Sequence, residues 1–502
     1  MSIRTRLSRA FDRLFKGPDE LELTDGSVGR PLFFLSLPIV ITNLLQTAYN
    51  LADTFWLGQY STEALAAISF AFPMVFLLIA LGMGLSVAGS ILVAQYTGAD
   101  RPEKAEFAAS QTMTYSLIAA IILGLVGVFV VHRLLELFGA SPAVIPGATA
   151  YLQVISLGLV FMFGFFVFIS LMRGYGDTVT PMLVMFGSVA INIILDPFVI
   201  FGWGPFPELG VVGAAYATIF SRGLALVVGL YVMFEGSRGV RIRPNQMVPN
   251  LSFLRRLLRL GVPASIEGTG RALSVNLMLF VVGMFPTTVV AAYGIGVRVF
   301  SVVFLPAIAV ARGVETMTGQ NIGADKPDRA ATAAGFAAKV MFVILGLFGV
   351  HIWIAGRTVV SLFSNDPTVV ATGTTFLKYV APTFGFLGIM RAYSGSIRGA
   401  GQTMVAAVIG ITTLGLIRLP IAYVGALKIG DTGIWIAFAV SNVVGAGLAY
   451  LWYRRGTWRE ADATDEPDVD LKLDQDTDKD TVTEPIETEA GETASTGERT
   501  DE

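Results

Sequence analysis

Long apolar runs separated by short polar breaks set the pattern of this chain. Twelve runs are drawn at roughly 31–58, 64–95, 105–131, 147–172, 179–202, 210–234, 252–284, 289–319, 330–356, 371–396, 403–427 and 432–454. Each reaches or exceeds the ~20 residues that an α-helix needs to cross a bilayer. Glycine and proline recur inside them, as they do in membrane helices more than in soluble ones. The pattern predicts an all-α polytopic membrane protein with twelve transmembrane helices.

The polar breaks repeat as well. QYTGADRPEKA (95–105) returns as QNIGADKPDRA (320–330), and RGYGDT (173–178) returns as RGAGQT (398–403). Both offsets are 225, since 320 − 95 and 398 − 173 agree. The same offset pairs Pro38 with Pro263 and Pro142 with Pro367. Two similar six-helix lobes follow, and because six is even both enter the membrane from the same side. Such parallel repeats are related by an axis along the membrane normal, with the substrate site between them and alternating access by rocking. The expected parts are a basic amphipathic N-terminal segment (1–30), an N-lobe (31–234), an inter-lobe loop (235–251), a C-lobe (252–455) and an acidic disordered tail (456–502). In the repeated GAD-x-P turn, glycine is expected to close a helix in the left-handed region. Aspartate would then cap the next helix and proline would open it.

Composition narrows the class. The 502 residues are 54% hydrophobic and 15% charged, against ~25% charged in an ordinary soluble domain. Cysteine is absent, which excludes disulfides and thiolate metal sites, and the two histidines, His132 and His351, cannot form a zinc site alone. The first 30 residues lack a long apolar stretch, so no cleavable signal peptide is expected and the first span does the targeting. Within them, Ser2–Lys16 reads as a basic amphipathic helix suited to the membrane surface. From Arg459 to Glu502 there are 17 acidic and 4 basic residues, a net of −13; with −3 overall, the remainder carries +10. The leader and the 235–259 region hold six Lys or Arg each, whereas the connections on the other side hold Arg133, Arg357 and Lys428 in total. By the positive-inside rule both termini face the cytoplasm, in a plasma membrane. RGYGDT lacks the strand and lysine of a phosphate loop. No enzyme, cofactor or nucleic-acid partner is expected.

The candidate chemistry lies in the first span, PIVITNLLQTAYNLADTFWLG (38–58). Asp53 is a carboxylate in a membrane-length helix, and such a group is kept mostly where it meets a cavity, an ion or a partner. The fifth span holds Asn192 and Asp196 at i and i+4, on one face. Asp53 precedes Gly58 by five residues and Asp196 precedes Gly202 by six, so both lie about 8–9 Å below the outer helix ends. Thr218 of the sixth span falls at similar depth. Oxygen ligands of this kind suit Na⁺, and two carboxylates sharing such a site would equally hold a proton. The pair is not repeated: the 225-residue offset puts Met278 opposite Asp53, and aligning Pro197 with Pro420 puts Leu419 opposite Asp196. Glu267, with Arg271 one turn on, is the main candidate in the second half, an ion pair being its simpler account. Arg312 and Glu315 read as a structural pair. Arg222, Arg298 and Arg418 either line the cavity or snorkel.

These residues resemble the multidrug and toxin extrusion (MATE) family over about residues 30–455. The resemblance implies twelve helices around a central cavity, and export of small cationic or amphipathic drugs in exchange for Na⁺ or H⁺. Asp53, Asn192, Asp196 and Thr218 match the N-lobe cation site of the branch common in archaea. Gln46 and Tyr49 match residues facing the cavity, and Pro38 the proline at which the first helix bends. Glu267 matches one acid of a branch that couples through the C-lobe, but that branch's second acid is replaced at about Leu387. A monomer in the bilayer is expected. The alternative is a flippase for a lipid or lipid-linked substrate of the same wider superfamily, which Arg298 and Arg418 keep open.

Overall fold

The computed structural model describes residues 21–137, 139–461 and 463–464. The amphipathic leader over Ser2–Lys16 and the tail beyond 464 lie outside the described residues. Every apolar run is helical. In chain order the helices are α1 (Gly29–Tyr60), α2 (Thr62–Gly98), α3 (Pro102–Leu137), α4 (Ile145–Leu157), α5 (Leu159–Tyr175), α6 (Val179–Phe201), α7 (Gly210–Glu235) and α8 (Leu251–Val282). They continue as α9 (Thr287–Gly323), α10 (Pro327–Ser361), α11 (Pro367–Val380), α12 (Phe384–Gly399), α13 (Thr403–Ile411), α14 (Leu419–Ile429) and α15 (Asp431–Arg454). No strand occurs among the described residues. Among the described residues nine spans are long and apolar enough to cross a membrane, and α4 with α5, bent by 55°, would be a tenth if the pair crosses as one. The two remaining runs are helical but charged or broken: α8 carries Glu267 and Arg271, and α11 and α12 are separated at Pro382.

Each break has a local cause. At Gly158, between α4 and α5, a side chain would strike Ile219 of α7. Pro382 has no N–H to give, and the chain tightens there into a 3₁₀ turn over Ala381–Thr383. Thr412–Arg418 winds as a π-helix just before Pro420, whose missing N–H interrupts the ladder. Helix starts are capped by side chains. Ser61 accepts from the Ala64 N–H at 3.0 Å and Asn250 from that of Phe253 at 3.0 Å.

The repeated turns meet face to face. Gln95 Nε2 donates to the Gly399 carbonyl at 3.2 Å, and Gln320 Nε2 donates to the Gly174 carbonyl at 3.2 Å. Both members of one contact map onto the other by the 225-residue offset, as 95 + 225 = 320 and 174 + 225 = 399. A side chain at Gly98 would run into the Gln320 backbone, and one at Gly323 into the Gln95 backbone. The halves therefore touch through one patch used twice, as across a two-fold axis. This corrects the expected turn geometry. Gly98 and Gly323 end their helices right-handed and are small because backbone lies against them. The left-handed residues are Asp100 (φ 55°) and Asp325 (φ 56°), which short polar side chains tolerate. Pro102 and Pro327 open the following helices as expected.

The apolar core is divided along the chain. One cluster comes from residues 278–458, joined by Leu32 of α1, and two others come from residues 49–260 and 57–215. The 235–251 connection is strapped to α3. Gln111 Nε2 donates to the Val248 carbonyl at 2.7 Å, Gln111 Oε1 accepts from the Asn250 N–H at 3.0 Å, and Val240 and Ile242 are buried. Past residue 456 the described chain stays packed on the helices. Trp458 is buried and stacked on Tyr453, and the Ala463 N–H donates to Gln95 Oε1 at 2.9 Å.

Candidate functional site

The first candidate set lies where α1, α6 and α7 pack together. One turn separates Tyr49 from Asp53 on α1, and one turn separates Asn192 from Asp196 on α6, so each pair shares a face. All of these side chains are buried, Asp53 at 2% exposure and Asp196 at 0%. The structure brings them together. Asp53 and Asp196 are the two buried carboxyl groups of this corner, carried by the packed helices α1 and α6. Asn192 Nδ2 donates to Asp196 Oδ1 at 3.3 Å. Thr218 reaches the group through Tyr49, whose hydroxyl donates to Thr218 Oγ1 at 2.5 Å. Three buried oxygens, Asp53 Oδ1, Asn192 Oδ1 and Asp196 Oδ2, have no hydrogen-bond partner. An unpartnered buried polar atom is costly. These three oxygens are the ones in this corner that could meet a cation or a proton.

Arg222 of α7 completes this corner, and sequence reasoning left its place open. It is buried at 1% exposure, donates from Nη2 to Gln46 Oε1 at 2.8 Å, and lies 4.6 Å over the Tyr49 ring and 5.3 Å over that of Phe165. It lines the same cavity as Asp53. The corner thus holds two carboxylates against one guanidinium. Helix-to-helix neighbours of this kind follow from the rotation of α7 about its axis. The signal available beforehand was only that an arginine occupied an apolar run.

Pro38 lies within α1, which runs unbroken from Gly29 to Tyr60. Gln46, Tyr49 and Asp53 line a cavity of about 440 Å³. Glu267 does not line it. It borders a smaller neighbouring pocket and is 7% exposed, because Arg398 Nη2 donates to both its oxygens at 3.0 and 2.9 Å. The expected partner, Arg271, is farther away at 3.5 Å. Arg398 also reaches Glu315 at 3.1 Å, and Glu315 pairs with Arg312 at 2.9 Å as expected. Arg173 and Arg398, the arginines of the two RG-x-G turns, both enter this charge cluster. The repeat of arginine at positions 173 and 398 was the signal available in the sequence. Arg418 bonds Ser441 at 2.8 Å and Asn442 at 3.0 Å, while Leu387 is 2% exposed in the second-half core.

The same relationship emerges from known proteins. The family model MatE matches residues 38–198 and again 263–424, two stretches that begin 225 residues apart, since 263 − 38 = 225. The chain is 28% identical to the probable multidrug resistance protein YpnP of Bacillus subtilis, covering 87% of this chain and 97% of that one. It is 28% identical to the FAD transporter of Shewanella oneidensis, covering 87% and 97%. A solved MATE structure in the bent conformation superposes with a TM-score of 0.82 at 26% identity, over 88% of this chain and 97% of that one. With both halves matched by the family model and the fold shared along almost the whole helical body, the chain belongs to the MatE family of multidrug and toxin extrusion transporters.

Proposed function

We propose that this transporter is a secondary active multidrug efflux antiporter, exchanging cationic or amphipathic compounds for Na⁺ or H⁺ by alternating access. The observation that carries the reading is the α1–α6–α7 corner. Two carboxylates face one guanidinium, with three oxygens unpartnered. One negative charge is left over in a medium where unpaired charge is expensive. A Na⁺ held by Asp53, Asn192 and Asp196, or a proton shared by the two carboxylates, would neutralise it. Thr218 is held one bond away by Tyr49 and would complete or orient the ligand set. Occupancy of this corner would then bias the two access states, because a ligand shifts an equilibrium only by its differential affinity. On this reading 31–234 and 252–455 rock as two lobes with their termini in the cytoplasm, and α1 bends near Pro38 as occupancy changes. Gln46 and Tyr49 face the substrate, and Glu267 supports the cavity through Arg398. The relatives' names, multidrug resistance protein among them, support efflux of varied solutes. The flippase alternative is not favoured, since Arg418 is spent on Ser441 and Asn442.

The test is ethidium efflux from membrane vesicles under separate Na⁺ and H⁺ gradients, with the wild type and Asp53→Asn. The variant is expected to lose gradient-driven efflux. Transport equal to wild type under both gradients would show that this corner does not couple.

A further inference from the structure

We infer that the cavity binds the charged group of an amphipathic anion. This inference rests on reading the cavity as the transport path. Among the described residues its lining holds one acid, Asp53, against four arginines, Arg173, Arg222, Arg271 and Arg312. Asp53 faces Asp196 and Arg222 at one corner. The other three arginines belong to the charge cluster at the join of α5, α8, α9 and α12. There Arg173, Arg271, Arg312, Arg391 and Arg398 stand against Glu267 and Glu315, so five positive and two negative charges leave +3. An excess of that size in a buried setting calls for a counter-anion.

Arg271 is the group left for that anion. Its contact with Glu267 is 3.5 Å, beyond the ~2.7–2.9 Å of a strong charge-assisted bond. Arg398 meanwhile holds both Glu267 oxygens. The Arg271 side chain remains 32% exposed, and that of Arg312 17%. Guanidinium groups grip phosphate and carboxylate through paired N–H donors. Phe72, Phe76, Tyr151 and Phe166 line the same cavity and offer faces for a flat apolar body. The geometry therefore fits a ring-bearing solute carrying a phosphate or carboxylate, with the anion on Arg271 and Arg312 and the ring on the aromatic wall. A solute in water and a lipid with a phosphate headgroup share this chemistry.

The test is equilibrium binding to the purified full chain in detergent, with two flavins that differ by one phosphate. Fluorescence polarisation of flavin mononucleotide and riboflavin reads the preference, ethidium serves as the cation, and fluorescent phosphatidylglycerol is the lipid arm. Flavin mononucleotide or the anionic lipid is expected to bind at least about tenfold tighter than riboflavin and ethidium, the effect of one or two charge-assisted hydrogen bonds. Arg271→Gln removes that preference and Arg271→Lys keeps most of it, each eluting as wild type in size exclusion. Whichever anion shows the Arg271→Gln loss identifies the source. Equal binding of the two flavins together with no lipid binding, or ethidium binding tighter than both anions, overturns the inference. Binding needs no ion gradient. Intact anion preference with flavin mononucleotide efflux indifferent to both gradients would refute the coupling proposal alone, and coupled efflux without anion preference would refute this inference alone.

Discussion

The contact that two copies of one turn make with each other predicts a gate. Under alternating access the Gln95/Gly399 and Gln320/Gly174 seam belongs to one access state and must part in the other. Gln95→Ala removes two hydrogen bonds, the 3.2 Å bond to the Gly399 carbonyl and the 2.9 Å bond from the Ala463 N–H. Gln320→Ala also removes two, at 3.2 Å to the Gly174 carbonyl and 2.9 Å to the Tyr175 carbonyl. At about 1 kcal/mol net per bond, each variant loses about 2 kcal/mol from the closed seam. That corresponds to about a thirtyfold shift toward the state in which the seam is open. The chain has no cysteine, so a single introduced thiol reports alone. Thr97→Cys suits the purpose, being near in size, with its hydroxyl buried and unpartnered beside Gly98. Labelling with a membrane-impermeant maleimide in inverted vesicles should accelerate by one to two orders of magnitude in either glutamine variant. The two accelerations should be similar, because each variant loses two bonds, one of which maps onto the other variant's by the repeat. Labelling at the wild-type rate in both variants would show the seam to be a permanent joint and refute the gate.

Three further outcomes are expected. Arg222→Gln leaves Asp53 and Asp196 uncompensated and should cost about 3–5 kcal/mol, lowering the thermal midpoint of the detergent-purified protein. Adding Asp53→Asn to it should recover much of the loss, and an additive double variant would show that the two charges do not interact. Glu267→Gln removes the acid gripped by Arg398 and should cost a similar amount. Arg271→Gln, whose ion pair is long and partly exposed, should cost less than about 1 kcal/mol; equal midpoints for the two would contradict the assignment of Arg398 as the main partner. Pro420→Ala restores an N–H after the π-helical stretch and should regularise it. Hydrogen exchange over Thr412–Arg418 should then slow, and unchanged exchange would place the cause of the π-turn elsewhere.

Much of this protein was legible along the chain. Membrane length and apolarity are local, so all twelve runs reappear as helices. The repeat is legible because two stretches of one sequence keep the same spacing, and the structure answers with contacts that map onto each other by that spacing. Depth was legible to within a turn, since rise per residue is constant: Asp53 stands seven residues before the end of α1 and Asp196 five before the end of α6. Lateral partners were not. Glu267 has Arg271 one turn away in sequence, yet its close partner is Arg398 from another helix. Local spacing names the neighbours on one helix and says nothing of what the next helix turns toward it.

The sequence by itself therefore determined the helices, their order and the two-fold repeat. The tertiary structure decided which charges meet. It set Arg222 against Asp53, gathered the RG-x-G arginines around Glu267 and Glu315, and made Gly98 and Gly323 small for a backbone contact across the repeat. The reason is physical. Hydrophobicity acts on each segment against the bilayer. Charge pairing depends on the rotation and close approach of helices, which only the packed whole defines.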